Sequence, residues 1–420
     1  MGMFFISGIK TGSARPFRNN DAYTPAAKGE LTYTKSIAGI MASHCVSCHR
    51  AGEIGPFPLD TFADVKKRAK LIEQLTASKQ MPPWKADSHG EFLDENRLTQ
   101  QEIGSIAQWA EEGASHGPGA DSVPMAAAPD RWKLGAPDAV LMPAKPYTLA
   151  AEGRDEYHTY VLPSTFTEDR YVSAVEVHPG NRTVVHHTVI YADTSGKVRK
   201  MVSAAGGMDI PRPAGLGLPK DGILDIWAPG NESRRLPDGV GLLLPKGADI
   251  VMEVHYHRSG KPETDQTKIG LYFCKGQVKQ QMHLHALTQF GLLIPPGEAH
   301  YKTGSELTAP EDATVLNIFP HMHLIGRSMK VTMTAPNGDV TTLIDVPAWD
   351  FNWQNTYWYK SPVHVPRGAV IKMAAEFDNS KENPNNPNNP PKLVTWGEQT
   401  TNEMCIAFLG YTTDGEIATD

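Results

Sequence analysis

The chain has 420 residues, room for two or three domains at about 150 residues each and enough to bury several cores without disulfide staples. Lys and Arg total 40 against 47 Asp and Glu, a net charge of −7 with no long run of either sign, which argues against nucleic acid or an anionic membrane surface as the main partner. Glycine (37) and proline (33) make the chain turn-rich without reaching the composition of a disordered one, and no apolar run approaches the ~20 residues of a spanning helix.

In chain order, residues 3–9 are apolar, but no basic residue precedes them and the run is short for a secretion signal, so no complete signal is visible. Residues 33–116 read as helical. Val65, Ala69, Ile72 and Leu75 mark an amphipathic helix before the loop Met81-Pro82-Pro83-Trp84. Thr99-x-x-Glu102 is a capping box, followed by Ile103, Ile106, Ala107 and Ala110 on one face. Gly117 to Pro129 has no periodicity and reads as a linker. After Trp132 the pattern turns to short strands: Val175 and Val177, Thr183 to Tyr191, Ile250 to His257, Ile269 to Phe273 and Val315 to Ile318. Asn337-Gly338 between Met329–Thr334 and Val340–Ile344 predicts a hairpin. Asn383 to Pro391 reads as a solvated loop that neither pairs nor packs.

Cys45 and Cys48 stand in a C-x-x-C-H string ending at His49, which chance supplies about 0.0015 times at this composition. In such a string both thiols add to the vinyl groups of a haem and the His reaches its iron. The alternative is a thiol–disulfide or half-zinc motif, but no second Cys/His pair lies nearby at convincing spacing. In length and three-helix pattern the segment resembles a class I cytochrome c. That resemblance implies a Met on a later loop as second axial ligand, and Met81 fits; Met41 precedes the motif and reads as core. Cys274 and Cys405 are either one disulfide or two buried thiols.

Chance predicts about 0.6 H-x-H pairs at this His content. Three occur, at His255/His257, His283/His285 and His321/His323. On a strand, residues i and i+2 share a face, so such a pair aims two imidazoles at one point. His283/His285 stands where a domain boundary belongs and reads as structural. The adjacent His186-His187 would point to opposite faces of a regular strand, so joint ligation there requires a bulge.

Val-Val-His186-His187-Thr-Val, Glu253-Val-His255-Tyr256-His257, Pro-His321-Met-His323-Leu-Ile-Gly and Glu403-Met404-Cys405, in that order, resemble the copper type II ascorbate-dependent monooxygenases over roughly residues 131–415. The resemblance implies two consecutive jelly-roll-like domains, each holding one copper ion. His186, His187 and His255 would hold the first, and His321, His323 and Met404 the second; His257 is not a ligand by the motif. Three imidazoles suit a copper that passes electrons, while two imidazoles and a thioether favour the Cu(I) that meets O₂. The sequence departs from the peptide-hydroxylating pattern at Phe319, where an Arg grips the substrate carboxylate, and at Ile406 and Phe408, where an Asn and a Tyr face the substrate. The partner position for Cys405 is Ala375, which leaves Cys274 as a substitute.

The reading is thus a small all-α cytochrome c-like haem domain (30–118), a linker (119–130) and two all-β antiparallel sandwich domains (131–279 and 280–415). The expected activity is haem- and copper-dependent hydroxylation of a C–H bond in a small, apolar substrate, using O₂ and two electrons. The cofactors would be one covalent haem c and two copper ions, with a periplasmic donor or an ascorbate-like reductant as partner. The alternative is a periplasmic haem/copper protein that only carries electrons or binds copper; a third is copper-dependent reduction of a small inorganic molecule. Thioether attachment of haem normally occurs outside the cytoplasm, which points to a periplasm despite the missing signal.

Overall fold

A computed structural model describes residues 22–121, 132–211 and 222–415, apart from 52, 154, 163, 165 and 208. Most of the linker expected over 119–130 lies outside them. The chain is mostly β-sheet with a small helical part at its start, and no helix of the described residues is long and apolar enough to cross a membrane.

The helical part is built from Tyr33–Ile37 and Ala38–His44, then Phe62–Lys67, Ala69–Ala77 and Gln100–Glu111. Three of these five start where the sequence supplies an acceptor: Thr32 takes the N–H of Lys35, Thr61 that of Asp64, and Thr99 and Glu102 form the complete capping box. Tyr33, Ile37, Met41, Val65, Ile106 and Trp109 close a common core. The single helix expected through Val65 and Leu75 is two. Arg68 leaves helical geometry (φ −115°) and its N–H bonds back to Val65, tightening the turn and ending the first helix.

Two antiparallel sandwiches come next in the chain. In the first, one sheet runs Ala139–Leu141, Lys268–Phe273, Arg170–His178, Val240–Leu244, Gln280–Gln281; the other runs Asp209–Pro211, Glu156–Leu162, Asp249–Tyr256, Val185–Asp193, Ile223–Trp227. Val172, Ile190, Leu244, Met252, Val254 and Leu271 fill the space between them. The Gln280–Gln281 pair joins this sheet in parallel, so the first sandwich reaches slightly past residue 279. In the second, one sheet runs His283–Thr288, Cys405–Thr413, Ala313–Met322, Tyr357–Val365; the other runs Tyr301–Thr308, Val370–Phe377, Gly326–Thr334, Val340–Val346. The hairpin at Asn337-Gly338 forms, with Thr334 opposite Val340 and Gly338 at φ +91°, a conformation glycine adopts without strain.

The second core also takes in residues from the helical part. Ala86 and Phe92 are buried among its side chains, Phe92 lies 5.4 and 5.1 Å from the rings of Tyr357 and Tyr359, and Trp84 meets Tyr357 edge-on at 5.0 Å. Backbone bonds fasten the same loop: Leu93 N–H to Trp358 O (2.7 Å), Lys360 N–H to Glu91 O and Asp87 N–H to Asp345 O (both 2.8 Å). The loop carrying Met81 is therefore built onto the second sandwich.

Cys274 and Cys405 are both free: Cys274 directly follows strand Lys268–Phe273 of the first sandwich with its thiol against Val240 O, whereas Cys405 is buried in the second core with its sulfur 4.0 Å from that of Met373. The 383–391 loop is mostly exposed and belongs to no strand, and Asn386 ties it down by donating to Asn379 Oδ1 and Ser380 O.

Candidate functional site

Strand Val185–Asp193 lies beside Asp249–Tyr256 with His187 opposite His255, and the register slips between Val185 and His187. That bulge is what allows neighbouring histidines to face one point. His186 Nδ1 lies 3.1 Å from His187 Nδ1, and His255 Nδ1 lies 3.4 Å from His187 Nδ1. The facing ligand atoms of all three rings fall within 4.8 Å of one another. Burial pushes the pKa of His186 down to about 4 and those of His187 and His255 well below the ordinary imidazole value. Neutral rings with converging lone pairs repel unless a cation sits between them, so this donor set fits a metal. Asp155 binds the far nitrogen of His255 at 3.0 Å, fixing which nitrogen faces inward, and Tyr157 stacks on that ring at 4.2 Å. His257 stays outside the cluster, mostly exposed and 3.2 Å from Asp155.

The second pair ends strand Ala313–Met322. Met322 lies opposite Cys405 and His321 opposite Ile406, so Met404 comes level with His323. His321 Nδ1 meets Gln354 Oε1 at 2.7 Å, and His323 Nδ1 meets Asn402 O at 3.1 Å; each ring then presents Nε2. Burial lowers their pKa values to about 4 and about 3. Glu403, fully buried, accepts the N–H groups of His323 (2.8 Å), Ile325 (2.8 Å) and Met404 (3.2 Å), clamping the two ligand-bearing segments together. Phe319, Met404, Ile406 and Phe408 form one buried apolar cluster. Arg327, the other candidate for gripping an acid, pairs instead with Glu376 and Asp378.

The two sets adjoin. His187, His255, His321, His323 and Met404 all line one cavity of about 80 Å³. Phe351 stacks on His186 (5.2 Å, 17°) and meets His323 edge-on (6.1 Å, 88°). Residues 281–419 match the family model described as copper type II ascorbate-dependent monooxygenase, C-terminal domain. Residues 281–419 thus carry the C-terminal domain of the copper type II ascorbate-dependent monooxygenases. Similar proteins are "DBH-like monooxygenase protein 1" of Homo sapiens, 23% identical over 59% of this chain and 42% of that one, and "Putative DBH-like monooxygenase protein 2" of Homo sapiens, 26% identical over 57% of this chain and 49% of that one. The chain thus spans less than half the length of these curated relatives. Among solved structures, a peptide-N(4)-(N-acetyl-beta-D-glucosaminyl) asparagine amidase overlays with a TM-score of 0.27 and 10% identity over 67% of this chain and 98% of that one, a likeness too loose to carry weight.

The family match stops short of the helical part, whose site is read from its own geometry. The end of helix Ala38–His44 turns so that the N–H groups of Cys48 and His49 bond Cys45 O, bringing the three side chains together. His49 Nδ1 donates to Phe57 O at 3.0 Å, leaving Nε2 for a ligand. Gly55 packs so closely that a β-carbon there would lie 2.6 Å from Cys48 O and 2.8 Å from His49 Nδ1. Cys45, Cys48, His49 and Met81 line a cavity of about 1440 Å³, larger than the ~300–1,000 Å³ of a single-ligand pocket. Two thiols, an oriented imidazole and a thioether around that space fit a covalently held haem. The cavity extends between the sandwiches to His186, Phe319 and Phe408.

Sequence reasoning missed Asp155, Tyr157, Phe351, Gln354 and the clamp at Glu403. Only Glu403 had a signal, its place beside Met404 in a motif of which Met404 and Cys405 drew attention. His283 and His285, paired with Tyr411 and Leu409, take no part in the cluster.

Proposed function

We propose that the protein is a haem- and copper-dependent monooxygenase that hydroxylates a C–H bond of a small, largely apolar substrate: R–H, O₂, two electrons and two protons give R–OH and water. The observation that carries this reading is the small cavity lined by His187 and His255 of the three-histidine cluster and by the whole His/His/Met set. In this reading His186, His187 and His255 hold an electron-passing copper, and His321, His323 and Met404 hold the one that meets O₂. Copper held there would supply one-electron reduction of O₂ and the oxidant for the C–H bond. The chain's own residues do the rest. Asp155, Gln354 and the Asn402 carbonyl fix the inward nitrogens of three of the rings, and Phe319, Ile406 and Phe408 keep water from the reacting carbon.

Cys45, Cys48, His49 and Met81 would hold haem c, whose thioether–imidazole ligation favours a high-potential electron carrier. The large cavity supports its role as relay, because it runs from these residues to His186. The copper-bearing sandwiches, 131–279 and 280–415, are taken as jelly-roll-like domains, and covalent haem argues for the periplasm, with a donor or ascorbate-like reductant there. The test is to reduce the loaded protein anaerobically, admit O₂ with candidate apolar compounds, and seek a product one oxygen heavier by mass spectrometry. Oxidation of haem and copper without such a product for any compound would instead favour a protein that only carries electrons.

A further inference from the structure

Residues 349–357 close the gap between strands Val340–Val346 and Tyr357–Val365. They supply no ligand, yet they reach both ligand sets. Trp349 Nε1 donates to the backbone carbonyl of His323 at 3.0 Å. Phe351 lies flat against His186 and edge-on to His323, so one ring spans the two sets. Gln354 accepts from His321 at 2.7 Å, and its own amide is fixed because Nε2 donates to Phe351 O at 2.9 Å. Gln354 is buried, so the orientation of the His321 ring depends on where this turn of backbone is held.

What holds the turn is the loop that carries Met81. Asp350 pairs with Lys85 at 3.2 Å, the lysine 13% and the aspartate 32% exposed, so breaking the pair strands a half-shielded charge. Asn355 Nδ2 donates to Pro83 O at 3.4 Å, and the Tyr357 hydroxyl is hydrogen-bonded to the backbone at Lys85 and Ala86. Positions 349, 351 and 354 thus reach copper-binding residues, while 350, 355 and 357 reach the Met81 loop. Both groups of contacts share one short stretch of backbone, so displacing either displaces the other.

We propose that residues 349–357 couple the haem-ligand loop to the copper ligands, and that Lys85 and Asp350 are positioning residues for the His321, His323 and Met404 set. This rests on the proposed function, in which Met81 binds haem and that set binds copper. With Met81 seated, Lys85 holds Asp350 and the turn, Gln354 holds the His321 ring, and the second set is ready for its metal. Without it, the loop loses its anchor on the haem side and His321 loses its fixed orientation. The first set responds less: His187 keeps its bulge and His255 its bond to Asp155, both within the first sandwich.

The test reads metal affinity, so it needs no turnover. Haem-loaded, copper-free protein is titrated anaerobically with Cu(I) against a chromophoric chelator, and His321→Ala identifies which binding step belongs to the second set. Asp350→Asn and Lys85→Met should each weaken that step about tenfold, and the three-histidine step much less. Met81→Ala, its haem still attached, should weaken the same step about fivefold or more. Combined with Asp350→Asn it should add nothing, because the path is already cut, whereas independent structural losses would add. The exchanged pair, Lys85→Asp with Asp350→Lys, should recover most of the affinity. An unchanged second step in Asp350→Asn or Met81→Ala, or losses that add in the double variant, would overturn the proposal. Should Asp350→Asn fail to fold, Met81→Ala against the wild type decides alone. A wild type that binds fewer than two Cu(I) ions overturns the ligand assignment and this coupling with it; coupling that persists with no oxygenated product overturns hydroxylation alone.

Discussion

Replacing Glu403 with Gln tests whether one buried carboxyl group assembles the second ligand set. The change preserves volume, so no cavity opens, but an amide NH₂ takes the place of one acceptor oxygen. Oε1 receives the N–H of Ile325, and Oε2 receives those of His323 and Met404. Even if the amide turns to keep its oxygen on the two-donor side, one backbone N–H loses its partner and faces another donor. Burial raises the pKa of Glu403 to about 8, so the group is largely neutral near pH 7; a lost hydrogen bond is then worth about 0.5–1.5 kcal/mol and an orphaned buried donor costs about 1–3. The net loss should be about 2–4 kcal/mol. For a sandwich of this size that corresponds to a drop of roughly 4–16 °C in Tm. Because the clamp joins the backbone of His323 to that of Met404, copper content should fall by one ion per chain in the same variant, with the three-histidine cluster retaining its own. Calorimetry and metal analysis of apo and loaded protein measure both. A Tm shift below about 1 °C with full copper content would refute the reasoning.

Met81→Ala should abolish the sulfur-to-iron band of the oxidised haem while leaving the haem covalently attached; an unchanged band would mean that another residue is the sixth ligand. His186→Ala and His321→Ala should each lower copper content by one ion, and Met404→Ala should impair O₂ reduction far more than metal binding at the three-histidine cluster; two ions retained in both His variants would overturn the assignment. Phe92→Ala should cost about 3–5 kcal/mol, read by urea unfolding of the second sandwich, although Phe92 belongs in sequence to the helical part. Glu102 is held down to about 2, chiefly by its hydrogen bond to His44; below its ordinary value of 4.5 the unfolded chain takes up the proton first, so stability supplied by this pair is present above pH 4.5 and lost as pH falls toward 2. Glu102→Ala should flatten that acid limb of a melting-temperature profile.

How far the sequence carries depends on whether the information is local. The capping box at Thr99, the hairpin at Asn337-Gly338 and the need for a bulge at His186-His187 come from spacing and turn chemistry, and all three appear. Phe319, Ile406 and Phe408 do form an apolar cluster with Met404. Asp155, Gln354 and Glu403 act across 33 to 100 residues of chain, and no periodicity marks a partner so distant. The helix break at Arg68 escaped because propensity alone favours continuity there. The fate of Cys274 and Cys405 turned on which sandwich each occupies, a tertiary fact.

The loop from Trp84 to Glu95 has an engineering consequence. A redox module joined only by a linker can swing between partners, can be exchanged for another, and can be cut away without harm to its neighbours. Here Ala86 and Phe92 lie inside the second sandwich, and Lys85 reaches Asp350 at 3.2 Å, four residues from the glutamine that orients His321. Excising the helical segment would strip side chains out of a neighbour's core, so a truncated copper-only version should aggregate. In the function proposed above, donor and acceptor would be held at one separation, and the rate of electron delivery would be set by that fixed gap, independent of tether length and solvent viscosity.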